Sequence, residues 1–334
     1  MSVASTATAA RAPVLSVRDL RVAFEDWRGS LVAIDGVSLD IAAGEILGIV
    51  GESGAGKSLT GTAVIGLLDP PGRIVGGSIH LDGMRIDDLP RQEMRRIRGR
   101  RIGAVFQDPL TSLHPLFSVG DQLVETMRAH LDIDRAEARR RALELLREVG
   151  IPSPETRIDQ YPHQFSGGMR QRVVIALALC AEPRLIIADE PTTALDVSIQ
   201  AQITSLLRRL CTERGAAVML VTHDMGVIAE TADRVAVMYA GRVVEIGPVE
   251  AVTRAPRHPY TAGLMASIPS IHARAATLRQ IDGAMPRLGE IPEGCAFNPR
   301  CAAASARCRV ERPALGPGPR AAACWHPVGQ GEHA

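Results

Sequence analysis

Lysine is almost missing from this sequence. Of its 38 basic residues Lys57 is the only lysine, and the rest are arginine. Aromatic residues are also scarce, at 3% of 334 residues, and no aromatic residue interleaves with the basic run Arg91 to Arg101, whose six arginines face one glutamate. A run of that kind is a solvated helix face rather than a nucleic-acid surface. Charge of one sign is lacking too. A formal net charge of +1 provides no field to gather nucleic acid over distance. The most apolar stretches, such as Val173 to Ala181, fall well short of the roughly 18 residues that span a bilayer. The first 14 residues, rich in Ala, Ser and Thr, lack the apolar core of a signal peptide and are expected to be a disordered tail of a cytoplasmic, soluble chain.

The single lysine stands where its chemistry is required. Gly51-Glu52-Ser53-Gly54-Ala55-Gly56-Lys57-Ser58 fits the phosphate-binding pattern of Gly, four residues, Gly, Lys, then Ser or Thr. An apolar strand, Ile46 to Val50, precedes it, and a helix-like stretch from Leu59 to Leu68 follows. Glycines let consecutive N–H groups turn inward around phosphate oxygens, and a helix N-terminus adds partial positive charge. A compact ammonium on a flexible stem fits such a cradle, where a planar guanidinium would not. Lys57 is expected on the β- and γ-phosphates and Ser58 on Mg²⁺.

Upstream, Leu15 to Phe24 and Ser38 to Ile41 alternate apolar and polar residues as half-exposed strands do. Phe24, or its rival Trp27, is an aromatic placed to stack on adenine. A hairpin is expected from Ser78 to Ile86 with Asp82-Gly83 at its turn, and Ile102 to Phe106 reads as a buried strand ending at Gln107. The helix of Asp134 to Val149 carries an acidic start and Gly150 at its end. Ser166-Gly167-Gly168-Met169 opens another helix, where Ser166 can cap and the glycines expose N–H groups to an anion.

Leu185 to Ala188 is a continuous apolar strand running into Asp189-Glu190. Adjacent carboxylates at a strand terminus are costly unless a metal or substrate uses them, so Asp189 is expected with Ser58 and Gln107 around Mg²⁺, and Glu190 is expected to orient or deprotonate the attacking water. A further apolar strand, Ala217 to Val221, ends at Thr222-His223, which sets His223 at the same carboxyl edge to bond a γ-phosphate.

The order of these motifs resembles the nucleotide-binding subunit of ABC transporters over about residues 15 to 265. The resemblance makes residues 51 to 58 the Walker A loop, Gln107 the Q-loop, Phe165 to Arg170 the signature motif, Leu185 to Glu190 Walker B, Asp196 the D-loop aspartate and His223 the switch histidine. Phe165 and Met169 depart from the generic Leu-Ser-Gly-Gly-Gln. Phe106-Gln107-Asp108-Pro109, Phe165 through Arg172 and His258-Pro259-Tyr260-Thr261 look like the ATPases of oligopeptide, dipeptide and nickel importers. The implied fold is α/β, a P-loop NTPase (RecA-like) core with an antiparallel β subdomain and a helical subdomain at about 108–183. The implied assembly has a second homologous ATPase subunit (a heterodimer), two membrane permeases that dock near Gln107 to Gly120, and an extracytoplasmic solute-binding protein, at the cytoplasmic face of the inner membrane. ATP and Mg²⁺ are the implied ligands. A soluble ABC-type ATPase of DNA repair or translation is the rival class. It usually carries a long coiled-coil insertion or a second cassette, and neither a sustained heptad run nor an internal repeat is present.

From about 266 to 334 the composition shifts to Pro, Gly, Ala and Arg. Four of the six cysteines fall in this extension: Cys295, Cys301, Cys308 and Cys324. In a reducing cytoplasm clustered thiols are metal ligands more often than disulfides. The Cys-x-x-Cys pairs of a zinc ribbon are absent. All-thiolate ligation suits a [4Fe–4S] cluster, with zinc or free thiols as the alternatives. Cys-x-Phe-x-Pro-Arg-Cys from Cys295 to Cys301 resembles the tail of dipeptide-importer ATPases that carry such a cluster.

Overall fold

The computed structural model describes residues 12–26, 29–192, 196–268 and 280–329. Trp27 and most of the N-terminal stretch lie outside them. The strands, in chain order, are β1 (Leu15–Asp26), β2 (Gly29–Ile41), β3 (Ile46–Val50), β4 (Gly72–Leu81), β5 (Met84–Arg85), β6 (Ile102–Val105), β7 (Leu185–Asp189), β8 (Ala217–Val221), β9 (Arg234–Tyr239), β10 (Arg242–Pro248) and β11 (Ala321–Ala322). One antiparallel sheet has the order β2-β1-β4-β5, with Asp82-Gly83 turning β4 into β5 as expected. The larger sheet runs β11-β10-β9-β3-β8-β7-β6, parallel from β9 through β6 and antiparallel at its β10 and β11 edge.

Alternation along the parallel strands divides two cores. In β3, Ile46 and Val50 face one apolar cluster while Leu47 and Ile49 face the other; in β8, Val218 and Leu220 oppose Ala217, Met219 and Val221. A sheet covered on both faces is why these strands read as unbroken apolar runs. On the first face lie the helices Val119–His130, Arg135–Glu148, Gly167–Leu179 and Val197–Arg214. On the second lie the antiparallel sheet and the helix Lys57–Val64. Each large aliphatic side chain buried here contributes roughly 1.5–3 kcal/mol.

The basic run serves the fold. Arg98 donates to the carbonyls of Ile65 and Gly66 at 2.7 and 2.6 Å, Arg100 to that of Ala181 at 2.7 Å, and Arg101 pairs with Asp82 at 2.8 Å. Guanidinium forks here close loops of their own chain. The segment after residue 280 packs back on the larger sheet. Its β11 pairs Ala322 with Glu245 and Ala321 with Ile246 of β10, and Phe297 joins Tyr239 and Tyr260 in the first core at ring separations of 5.3 and 5.4 Å.

Candidate functional site

Four loops leave the carboxyl ends of parallel strands on one edge of the sheet. After β3 comes the phosphate loop, after β6 Gln107, at the end of β7 Asp189-Glu190, and after β8 His223. Ser53, Gly54, Gly56, Lys57, Ser58, Leu59, Gln107, Glu190 and His223 line a cavity of about 600 Å³ together with Ala33 and Leu288. Open α/β sheets hold ligands at this edge.

The glycines of the loop answer to specific neighbours. Gly51 has φ of +154°, and a Cβ there would stand 2.3 Å from the carbonyl oxygen of Met238. Gly56 has φ of +97° and caps the helix Lys57–Val64, with a would-be Cβ 2.6 Å from Ile34. The helix therefore opens at Lys57, two residues before the expected start. Its first residues, Lys57, Ser58 and Leu59, line the cavity, and a helix N-terminus so placed suits phosphate. Ala55 is buried, accepting from Gly241 N–H at 2.9 Å and donating to Glu52 O at 3.1 Å.

Lys57 is buried, and its Nζ donates to the carbonyls of Gly51 at 2.9 Å and Glu52 at 3.1 Å. Burial lowers its pKa, opposed by the nearby carboxylates of Glu190, Asp189 and Glu52. Ser58 Oγ donates to Asp189 Oδ1 at 2.9 Å. Burial raises the Asp189 pKa, with Glu190 adding to it and Ser58 and Lys57 opposing. A carboxylate so held gains from a cation beside it. Glu190 is bracketed: Gln107 Nε2 donates to its Oε2 at 3.0 Å, and His223 Nδ1 lies 3.1 Å from its Oε1. Glu190 has φ of +47°, a conformation costing of order 1–3 kcal/mol in a non-glycine residue, and strain of this kind clusters at functional sites. Gln107 thus meets Glu190 at the same sheet edge that carries the Ser58–Asp189 pair.

Phe24 is not among the residues that line the cavity. On β1 it pairs with Leu31 and Gly72, and its ring lies 2.9 Å from where a Cβ of Gly72 would stand. Ala33 and Leu288 form part of the wall instead, and neither carried a motif. The signature residues Ser166, Gly167, Gly168 and Met169 are also outside that lining. Ser166 caps its helix, accepting from Met169 N–H at 3.4 Å, and Gly168 is forced by Ile199, 2.8 Å from a would-be Cβ. Asp196 is exposed at the start of the helix Val197–Arg214.

Cys295, Cys301, Cys308 and Cys324 line one small cavity together with His258, Phe297 and His326. Burial raises the thiol pKa of Cys295 and Cys301, and that of Cys324 to about 11. Among the described residues no group of three or more His, Cys, Asp or Glu is arranged to hold a metal ion, so neither the [4Fe–4S] cluster nor the zinc alternative finds a preformed set of ligands here. His258 is buried, and its Nδ1 accepts from Tyr260 N–H at 3.1 Å, while burial lowers its pKa to about 4. The neutral ring therefore carries its proton on Nε2, which is buried and has no hydrogen-bond partner. A buried donor left unpaired in a structure is one that needs a hydrogen-bond acceptor.

Comparison with known proteins agrees with this geometry. Residues 34–193 match the ABC transporter family, and residues 244–308 match the oligopeptide/dipeptide transporter C-terminal region. The dipeptide transport ATP-binding protein DppD of Escherichia coli K12 is 45% identical over 302 residues, 90% of this chain and 92% of that protein. The oligopeptide transport ATP-binding protein OppD of Salmonella typhimurium is 46% identical over 333 residues, 98% and 99% of the two chains. Among solved structures, the dimeric post-hydrolysis state of the ATP-binding cassette MJ0796 bound to ADP and Pi superposes with a TM-score of 0.63 at 30% identity, covering 70% of this chain and 98% of that one.

Proposed function

This chain belongs to the ABC transporter ATPases, and from that premise we propose that it hydrolyses ATP to drive import of dipeptides or oligopeptides, with each catalytic step assigned to a residue of the sheet edge. The observation that carries the assignment is the Glu190 carboxylate held between Gln107 and His223 in the cavity of the phosphate loop. Lys57 and the N–H groups of residues 51 to 59 cradle the phosphates. Ser58, Asp189 and Gln107 would hold Mg²⁺, which would neutralise charge developing on the phosphoryl group. Glu190 accepts the proton of the attacking water, and His223 orients the γ-phosphate.

The signature residues Ser166 to Met169 complete the site of a second, homologous ATPase subunit, and Asp196 lies at that junction. The separation of the two phosphate-binding helix starts on one chain supports head-to-tail pairing. Two permeases and a solute-binding protein outside the membrane make up the rest, with this chain on the cytoplasmic face of the inner membrane. Leu116, 78% exposed, and Phe117, 46% exposed, in the stretch after Gln107 support docking there. The chain divides into an ATPase domain to about residue 265 and a C-terminal extension. In that extension Cys295, Cys301, Cys308 and Cys324 would hold a [4Fe–4S] cluster, a reading supported by the cavity they share with His258. When bound, such a cluster staples a loop-rich segment that can bury little core.

Reconstitution with the two permeases and a partner ATPase tests the transport role. Peptide uptake that depends on Lys57 and Glu190 is expected. Uptake without this subunit, or strong ATPase activity stimulated by DNA, would sink it. Purified without oxygen, the chain should absorb broadly near 400 nm and contain about four irons and four sulfides. Stoichiometric zinc without acid-labile sulfide, or no metal at all, would overturn the cluster.

A further inference from the structure

Glu52, in the phosphate loop, is held at every polar atom it has. Its N–H donates to Tyr260 Oη at 2.8 Å, and its carbonyl accepts from Lys57 Nζ and from Ala55 N–H, both at 3.1 Å. Its two carboxylate oxygens receive the two terminal nitrogens of one guanidinium. Arg300 Nη1 donates to Oε2 at 2.9 Å and Nη2 to Oε1 at 3.1 Å, across 248 residues of sequence. Arg300 is itself fixed. Its side chain is 6% exposed, Nε donates to Asp282 O at 2.8 Å, Nη2 to Ile281 O at 3.2 Å, and Nη1 reaches Tyr239 Oη at 3.5 Å.

The place of Arg300 in the chain gives this pair its consequence. Arg300 directly precedes Cys301, on a turn in which Asn298 N–H donates to Cys295 O, while Cys295 N–H donates to Cys308 O. Its backbone is thus set by the folding of the cysteine segment, and its side chain ends on the phosphate loop. A glycine-rich loop ordered only by its ligand would lose conformational entropy on binding, and a loop anchored beforehand avoids that loss. The pair is forked, with the Arg300 guanidinium buried and Glu52 partly exposed, and in a two-pronged contact of this kind Arg is not replaceable by Lys.

We propose that Arg300 is a positioning residue for the nucleotide site: from the cysteine segment it anchors the phosphate loop through the Glu52 carboxylate, so that ATP affinity depends on that segment being folded. By linkage ATP also stabilises the cysteine segment. The proposal rests on residues 51 to 58 binding phosphate, and not on what occupies the thiol cavity.

The test is equilibrium binding of a fluorescent ATP analogue to the full chain, with steady-state kinetics of the assembled complex. Arg300→Ala and Glu52→Gln should each raise Kd about tenfold, the worth of a lost charge-assisted hydrogen bond. The double variant should be no weaker than the weaker single one, because both remove the same contact. KM should rise while kcat at saturating ATP stays within about twofold, a split that general unfolding would not produce. Arg300→Lys should recover only part of the affinity. Parent affinity in Arg300→Ala, additive losses in the double variant, or loss in Arg300→Ala that Glu52→Gln fails to reproduce would each overturn the proposal. Should Arg300→Ala not fold, parent affinity in both Glu52→Gln and Arg300→Lys would overturn it. Lys57→Ala is the control: if it bound ATP like the parent, the phosphate-loop assignment itself would fall.

Discussion

Ser58 donates its hydroxyl to Asp189 Oδ1 at 2.9 Å, joining the phosphate loop to the end of β7. Burial raises the Asp189 pKa above its ordinary 3.8, with Glu190 adding to the shift and Ser58 and Lys57 opposing it. The sign follows from linkage: an acid with a raised folded pKa contributes stability below the unfolded value that is lost as pH rises through the folded one. The nucleotide-free chain should therefore gain stability on acidification towards that window. Mg·ATP, which needs the carboxylate, should release a proton on binding there. Calorimetry in two buffers of different ionisation enthalpy measures the release, and Asp189→Asn should abolish it.

Glu190→Gln keeps the shape that Gln107 and His223 bracket and removes the base. ATP binding should persist while turnover falls on the order of 10²–10⁴. Lys57→Ala should lose binding instead. Parent-rate hydrolysis by Glu190→Gln in the assembled complex would remove Glu190 from its role.

Stalled hydrolysis should expose the second half-site. Glu190→Gln with ATP is expected to associate with the partner ATPase, visible by light scattering, and Ser166→Arg should prevent it. A Ser166→Arg chain that still binds ATP but not its partner would separate the two functions of the one chain.

Gly51→Ala places a methyl 2.3 Å from Met238 O at a φ of +154°. Loop and β9 cannot both keep their positions, and a loss of about 2 kcal/mol in stability together with ATP binding is expected. Denaturant melts with and without Mg·ATP check both.

Cys180 and Cys211 are buried, and burial raises each thiol pKa to about 12. Neither should alkylate in the native chain at neutral pH, because the thiolate is the nucleophile. Mass spectrometry after a brief iodoacetamide pulse should find both unmodified, and labelling at either would contradict the packing of these two thiols.

Much of the site was legible because its signals are local. The strand from Ala217 to Val221, the caps at Asp134 and Ser166 and the turn at Asp82-Gly83 all depend on periodicity or on neighbours within a few residues. β2 was expected only from Ser38 to Ile41, yet it begins at Gly29, because pairing with β1 extends a strand whose exposed start shows no alternation.

The sequence by itself determined that a lysine-bearing phosphate loop lies between a strand and a helix, and that polar residues follow successive apolar strands. Those are short-range facts, encoded in composition, spacing and caps. Only the tertiary structure decided that Glu190 sits between Gln107 and His223, that Leu288 walls the nucleotide cavity, and that Arg300 closes on Glu52. Each of these joins residues separated by tens to hundreds of positions. Their meeting is set by how the chain orders its parallel strands and folds its C-terminal segment over the loop, which no local period records.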